Sequence, residues 1–109
     1  MSDTLSEWVW RTRYRQQGEH AIGDSWKRVA EALASVDERP GEQAARFESI
    51  LKEYAFLPGG RILAGAGSGR EVTLFNCFVM GLVEDSLDGI FRALRESALT
   101  MQMGGGIGL

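Results

Sequence analysis

Ten residues constrain the fold more than any others: EVTLFNCFVM, 71–80. Successive side chains on a strand point to opposite sides. Leu74, Asn76, Phe78 and Met80 therefore share one face, and Thr73, Phe75, Cys77 and Val79 the other. Both faces are largely apolar, as expected of a strand covered on both sides. A lone strand cannot bury itself, and no second stretch of the 109 residues carries a comparable β pattern. The chain is therefore expected to be incomplete, with its strand partnered elsewhere.

The remaining periodic segments are helical. From Asp24 or Ser25, apolar residues recur at Trp26, Val29, Ala30, Leu33 and Val36, the spacing of one helical face. Asp24 is the expected N-cap, and Pro40-Gly41 interrupts the pattern. A second helix carries Phe47, Ile50, Leu51 and Tyr54, and the two stripes predict an antiparallel pair serving as scaffold. A third, EDSLDGIFRALRESALTMQM (84–103), has Asp85 or Ser86 as cap and Leu87, Ile90, Phe91, Leu94, Ala98 and Met101 as its stripe. Asp85 and Asp88 suit the positive end of the helix dipole, and Gly104 suits a left-handed C-terminal cap. The expected class is α+β and mainly helical: three main helices, one long strand and glycine-rich loops.

Fourteen glycines stand out, most of them after residue 58. In FLPGGRILAGAGSGRE (56–71) they remove side chains where backbone turns tightly or approaches something closely. A phosphate-binding P-loop would need a lysine that no window supplies, and a dinucleotide fingerprint needs its glycines between strand and helix. Here the glycines precede the strand, so neither nucleotide loop fits.

Bulk properties narrow the rest. No apolar run approaches the ~20 residues of a membrane span, and MSDTLSEWVW lacks a basic region followed by an apolar core, which argues against a secretory leader. A single cysteine forms no internal disulfide framework, so the expected compartment is the cytoplasm. A net charge of −3 disfavours general nucleic-acid binding. WVWRTRYR (8–15) mixes Arg11, Arg13 and Arg15 with Trp8, Trp10 and Tyr14, a combination that can stack on single strands; the simpler reading docks the aromatics on the protein. His20 reads as a solvated histidine, Met101 and Met103 as helix-end packing, and no metal-ligand spacing is present.

Taken in order, FLPGGRILAGAG, TLFNCFV, EDSLDGIF and GGGIG resemble the start of the catalytic subunit of class II, adenosylcobalamin-dependent ribonucleotide reductases. The resemblance covers nearly the whole chain and is most specific from Phe56 to Gly108. It implies a helical region at 1–56 and, at 57–109, the beginning of a ten-stranded α/β barrel. It also implies a working enzyme that uses cobalamin, a thioredoxin-type reductant and a deoxynucleotide effector, and that forms a homodimer when complete.

By the same resemblance, Cys77 is one thiol of the redox pair that becomes a disulfide as the ribose 2′-hydroxyl leaves as water. The radical that starts the reaction is carried by a distant cysteine outside this chain. Asn76 lines the nucleotide site, through its backbone unless the strand bulges there, and Gly106, with Ile107 and Gly108, forms a substrate loop. Gly60 stands where the family usually carries a hydroxyl-bearing residue, leaving main-chain contact to the substrate. Asp85, Ser86 and Leu87 match the effector site, with Asp85 directed at the effector's sugar or base. Without the resemblance, Cys77 flanked by Phe75, Phe78 and Val79 reads as a small buried hydrophobe, the usual setting of a free cysteine.

One cysteine cannot perform this chemistry alone, and the apolar, glycine-rich end at Leu109 reads as an interruption. The chain is expected to be the inactive N-terminal piece of a longer or split enzyme, marginally stable by itself. A free-standing protein-binding module, or a decayed reductase-derived one without catalysis, is the alternative.

Overall fold

The computed structural model describes residues 4–109; the first three residues of the stretch read above for a leader lie outside them. The chain divides into two compact units, Met1–Arg70 and Glu71–Leu109.

The first unit opens with α1 (Leu5–Val9). Its start is a reciprocal cap: Thr4 Oγ1 accepts from the Glu7 N–H at 3.2 Å, while the Glu7 carboxylate accepts from the Thr4 N–H at 2.8 Å. The helix runs directly into a π-helical turn, Trp10–Tyr14, closed by the Arg15 N–H on the Trp10 carbonyl at 2.9 Å. WVWRTRYR is thus helical. Trp10 faces inward, donating its indole N–H to Ser25 Oγ at 2.7 Å.

The second helix, α2, spans Ile22–Ala34. It begins earlier than the sequence pattern suggests because Asp24 is not its N-cap. Asp24 sits in the first turn, where its carboxylate reaches back to the N–H groups of His20 (2.8 Å) and Ala21 (3.1 Å). Those N–H groups hold its pKa below the usual value. Trp26, Val29, Ala30 and Ala34 are buried as one face. Leu33 lies at the margin, and Val36 falls beyond the helix end, fully in solvent.

Helix α3 (Pro40–Lys52) packs on α2, with Leu51 as its buried anchor. Pro40 therefore starts a helix rather than only ending one, because the first helical position needs no N–H partner. The helix closes with the Ala55 N–H on the Ile50 carbonyl and the Tyr54 N–H on the Leu51 carbonyl. This places Tyr54 in the left-handed region (φ 54°), a position glycine usually holds. The Tyr54 ring makes an edge contact with Trp26, centroids 5.8 Å apart.

The glycine-rich stretch hides a short helix, α4 (Gly60–Gly65). The last carbonyls of a helix have no partner within it, and here side chains supply them. Arg28 Nη2 donates to Leu63 O at 2.9 Å and Arg28 Nη1 to Ala66 O at 2.5 Å. Gln16 Nε2 donates to Ala64 O at 2.9 Å and Ser68 Oγ to Gly65 O at 2.7 Å. Arg28 also donates to Tyr14 O at 3.2 Å, joining α2, the π turn and α4 through one guanidinium. These ties explain why the expected boundary at 56/57 falls inside the first unit.

Arg28 is held by Glu19, Nε to Oε1 at 2.5 Å, with both side chains nearly excluded from solvent. The other Glu19 oxygen accepts from Ser25 Oγ at 2.5 Å and the Gln16 N–H at 3.1 Å. Burial pushes the Glu19 carboxyl up, but the hydrogen bonds from Ser25, Arg28 and Gln16 and the charge of Arg28 outweigh it, and its pKa lies below the usual value.

The second unit is a strand–helix–strand arrangement. Strand β1 is Cys77–Val79, α5 is Leu87–Gln102 and β2 is Gly106–Gly108. The expected long strand is only three residues, and its partner lies within the chain: β1 and β2 run parallel. GGGIG, read as a loop, contributes β2. Parallel strands need a crossover connection, and α5 supplies it. Phe78 is half-buried while Cys77 and Val79 are exposed, so only one face of β1 is covered among the described residues.

The pairing of Glu19 with Arg28 predicts an acid-sensitive first unit. Its lowered pKa makes this contribution complete above the ordinary glutamate value of 4.5 and progressively lost as pH falls through the lower folded value. Urea titrations of the chain across that range should show a steeper loss of stability than Glu19→Gln, whose stability is lower at neutral pH but flatter with acid. Gly67, at φ 71°, would bring a Cβ to 2.9 Å from Arg28 Cγ and 3.2 Å from Arg28 O, whereas Gly69, at φ 74°, has open space. Gly67→Ala should therefore cost more than Gly69→Ala, which carries only left-handed strain of about 1–2 kcal/mol; paired thermal melts of the two variants measure the difference.

Candidate active site

The polar and reactive candidates of the second unit converge on the β1–β2 pair. Cys77 stands opposite Gly106, Phe78 opposite Ile107 and Val79 opposite Gly108. The Asn76 carbonyl accepts from the Gly106 N–H at 2.8 Å, and the Met80 N–H donates to Gly108 O at 3.2 Å. The structure thus brings together Asn76, Cys77, Gly106, Ile107 and Gly108. Asn76 contributes its backbone to this ladder, leaving its side chain exposed.

The thiol is accessible rather than buried, which corrects the reading of Cys77 as a core hydrophobe. A Cβ added to Gly106 would lie 3.4 Å from Cys77 Sγ, so the sulfur borders bare backbone of the neighbouring strand. A fixed strand, a free thiol and a side-chain-free neighbour allow a substrate to reach sulfur and main chain together.

Two glycines set this geometry. A Cβ on Gly105 would come within 2.7 Å of the Phe78 ring and 3.1 Å of Thr100 Cγ2, so the chain leaving α5 can reach β1 only without a side chain there. Gly104, at φ 91°, turns the chain out of the helix: its N–H meets Met101 O at 2.9 Å and the Gly105 N–H meets Thr100 O at 3.0 Å. The left-handed cap expected at Gly104 is the one observed. Gly105 is not distinguishable from its glycine neighbours in sequence, and its role emerges only from the Phe78 ring.

Asp85, Ser86 and Leu87 sit at the other end of α5, about 24 Å away along a 16-residue helix. Ser86 is the N-cap, accepting from the Gly89 N–H at 3.0 Å, so its hydroxyl is committed to the helix. Asp85 and Leu87 are exposed. Gly89 lies tight under the preceding loop, where a Cβ would meet Glu84 Cβ at 2.6 Å.

In the first unit, Gly60 opens α4 with its backbone exposed, after a buried Pro58. An apolar cavity of this unit, about 340 Å³, lies among Val9, Trp10, Trp26, Tyr54, Leu57 and Leu63. His20 is exposed, and no group of three or more His, Cys, Asp or Glu side chains is placed to hold a metal among the described residues. No helix among them is long and apolar enough to cross a membrane.

The model of the ribonucleotide reductase all-alpha domain matches residues 1–71, the extent of the first unit within one residue. The chain belongs to the ribonucleotide reductase family. A vitamin B12-dependent ribonucleoside-diphosphate reductase of Mycobacterium tuberculosis (strain CDC 1551 / Oshkosh) is 34% identical over 110 residues, covering 92% of this chain and 16% of the relative. The large subunit of the vaccinia virus ribonucleoside-diphosphate reductase is also 34% identical, over 68 residues and 62% of the chain. A vitamin B12-dependent reductase of Thermoplasma acidophilum is 37% identical over the same share. The match to the mycobacterial enzyme takes in most of both units of this reductase segment, as the resemblance to class II enzymes requires. The chain spans less than a fifth of the length of these relatives. No solved structure matches.

The close approach of Gly105 to Phe78 generates a local prediction. Gly105→Ala should push the ring away and loosen the β1–β2 ladder. Amide hydrogen exchange at Gly106 and Met80 should accelerate several-fold, while the Gly89 amide at the far end of α5 keeps its rate.

Proposed function

We propose that this chain is the N-terminal part of a vitamin B12-dependent ribonucleoside-diphosphate reductase, and that Cys77 is one of the two thiols that reduce the ribonucleotide. The observation that carries this reading is the exposed Cys77 thiol set against the bare Gly106 backbone across a parallel strand pair. The overall reaction balances as follows: two thiols lose two electrons and two protons and join as a disulfide. The ribose C2′–OH bond is replaced by C2′–H, and the hydroxyl leaves as water. Cys77 supplies one thiol; the chain holds no other cysteine, so the second belongs to residues beyond these 109.

The roles are assigned unit by unit. In the second unit, Asn76 and Gly106 would offer main-chain groups to the substrate, with Ile107 and Gly108 holding the loop that follows α5. In the first, Gly60 would approach the ribonucleotide through its backbone. At the start of α5, Asp85 would accept from the sugar or base of a deoxynucleotide effector, with Ser86 fixing the helix end and Leu87 offering an apolar surface. A thioredoxin-type protein would return the disulfide to thiols, the enzyme would work as a homodimer, and the reducing cytoplasm is the fitting compartment.

The described residues do not by themselves fit a cobalamin. The apolar cavity beside Trp10 is smaller than a corrin ring with its nucleotide tail, and the single histidine is exposed outside it. In a complete enzyme the cofactor, which would supply the radical-generating chemistry, falls to the rest of the chain.

Cys77→Ser tests the reading in the reductase polypeptide that carries this segment. Deoxyribonucleotide formation should fall by at least a thousandfold while ribonucleoside diphosphate still binds with an affinity near wild type. Turnover by the serine variant at a wild-type rate would remove Cys77 from the chemistry.

A further inference from the structure

Gly60 is a glycine for a reason its own backbone does not give. Gly67, Gly69 and Gly104 have positive φ, and Gly89 and Gly105 would drive a Cβ into a neighbouring residue. Gly60 has no positive φ and sits at the first position of α4, where other residues favour the helix more. Only one group borders the place its Cβ would take. The Tyr14 hydroxyl is 3.3 Å from it, and Tyr14 Cε1 is 3.8 Å away. The missing side chain makes room for a phenol.

That phenol is held from behind. The Tyr14 carbonyl accepts from Arg28 Nη2 at 3.2 Å and from Gln16 Nε2 at 3.4 Å, and the residue ends the π-helical turn. Its ring lines the apolar cavity beside Trp10 and Leu63. The ring is therefore anchored and half-buried, yet its hydroxyl meets no hydrogen-bond partner among the described residues. No buried side-chain polar atom among the described residues lacks a partner, so this hydroxyl is open to solvent, where a ligand oxygen can take the place of water. The unused donor lies beside the exposed Gly60 backbone.

We propose that Tyr14 is a substrate-contacting residue whose hydroxyl donates a hydrogen bond to an oxygen of the ribonucleoside diphosphate held at the Gly60 main chain. The inference rests on the reading above that Gly60 approaches the ribonucleotide. It gives the π-helical turn a purpose: the turn delivers Tyr14 to α4, and Arg28 locks it there.

The test uses the reductase polypeptide that carries this segment, with cytidine diphosphate as substrate. Tyr14→Phe keeps the ring and removes the donor. It should raise KM about tenfold, within the range for losing one hydrogen bond, and leave kcat and melting temperature close to wild type. Combining Tyr14→Phe with Gly60→Ser should restore KM, since the phenyl ring leaves space for a serine Cβ and a hydroxyl returns to the same place. Gly60→Ala in the Tyr14→Phe background should not. A wild-type KM for Tyr14→Phe overturns the inference, as does equal rescue by alanine and serine, which would make the effect one of packing. A wild-type polypeptide that neither binds nor reduces cytidine diphosphate overturns the functional reading itself, and this inference with it.

Discussion

The first unit depends on one buried ion pair. Arg28 spends its guanidinium on three carbonyls, those of Tyr14, Leu63 and Ala66, while Glu19 neutralises it from behind. A buried pair often gains little over a well-packed apolar substitute, because both charges lose water. Its value here is architectural. The carbonyls it satisfies belong to a π turn and to a six-residue helix, elements too short to stand by themselves. Removing either charge would leave the other buried and unpaired, at a cost of about 3–5 kcal/mol, and would release both elements together. Ser25 and Trp10 extend the same network, so no polar atom within it is left without a partner.

The second unit is organised by the opposite means, the removal of side chains. Helix α5 turns Gly89, Ala93, Ser97 and Thr100 inward, and leaves Leu87, Phe91 and Leu94 largely exposed. Small residues on the packed side let the helix lie close to the loop before it and to β2. Gly105 then lets the chain cross the Phe78 ring to form β2. The thiol is placed by this close packing, with no polar group among the described residues holding the sulfur itself.

What the sequence made legible follows from the range of the forces involved. Helices α2, α3 and α5 were readable because their apolar spacing is a local property, and Gly104 because a helix end followed by glycine has few conformations. The cap of α2 was misplaced because Asp24 suits both a cap and a first-turn position, and the choice depends on backbone around Ala21. β2 was unreadable: two glycines around one isoleucine have poor strand propensity, and only pairing with β1 makes them extended. The Thr4–Glu7 cap was available as a T-x-x-E pattern. The Arg28–Glu19 pair was not, since residues nine apart, one before α2 and one within it, carry no spacing rule. For the site, the four ordered motifs pointed to Cys77 and Gly106, whereas their register and the exposure of the thiol required the fold.

The parallel pairing of β1 and β2 also has a consequence in time. Gly106 is 29 positions after Cys77 (106 − 77), and β1 has no nearer strand to join among the described residues. A ribosome adding about 5–20 residues per second takes roughly one and a half to six seconds to cover that interval. During it, the cysteine has left its codon behind but cannot yet be held against its glycine. The nascent chain therefore carries an unplaced thiol through that interval, and only the arrival of Gly106 sets its sulfur against neighbouring backbone.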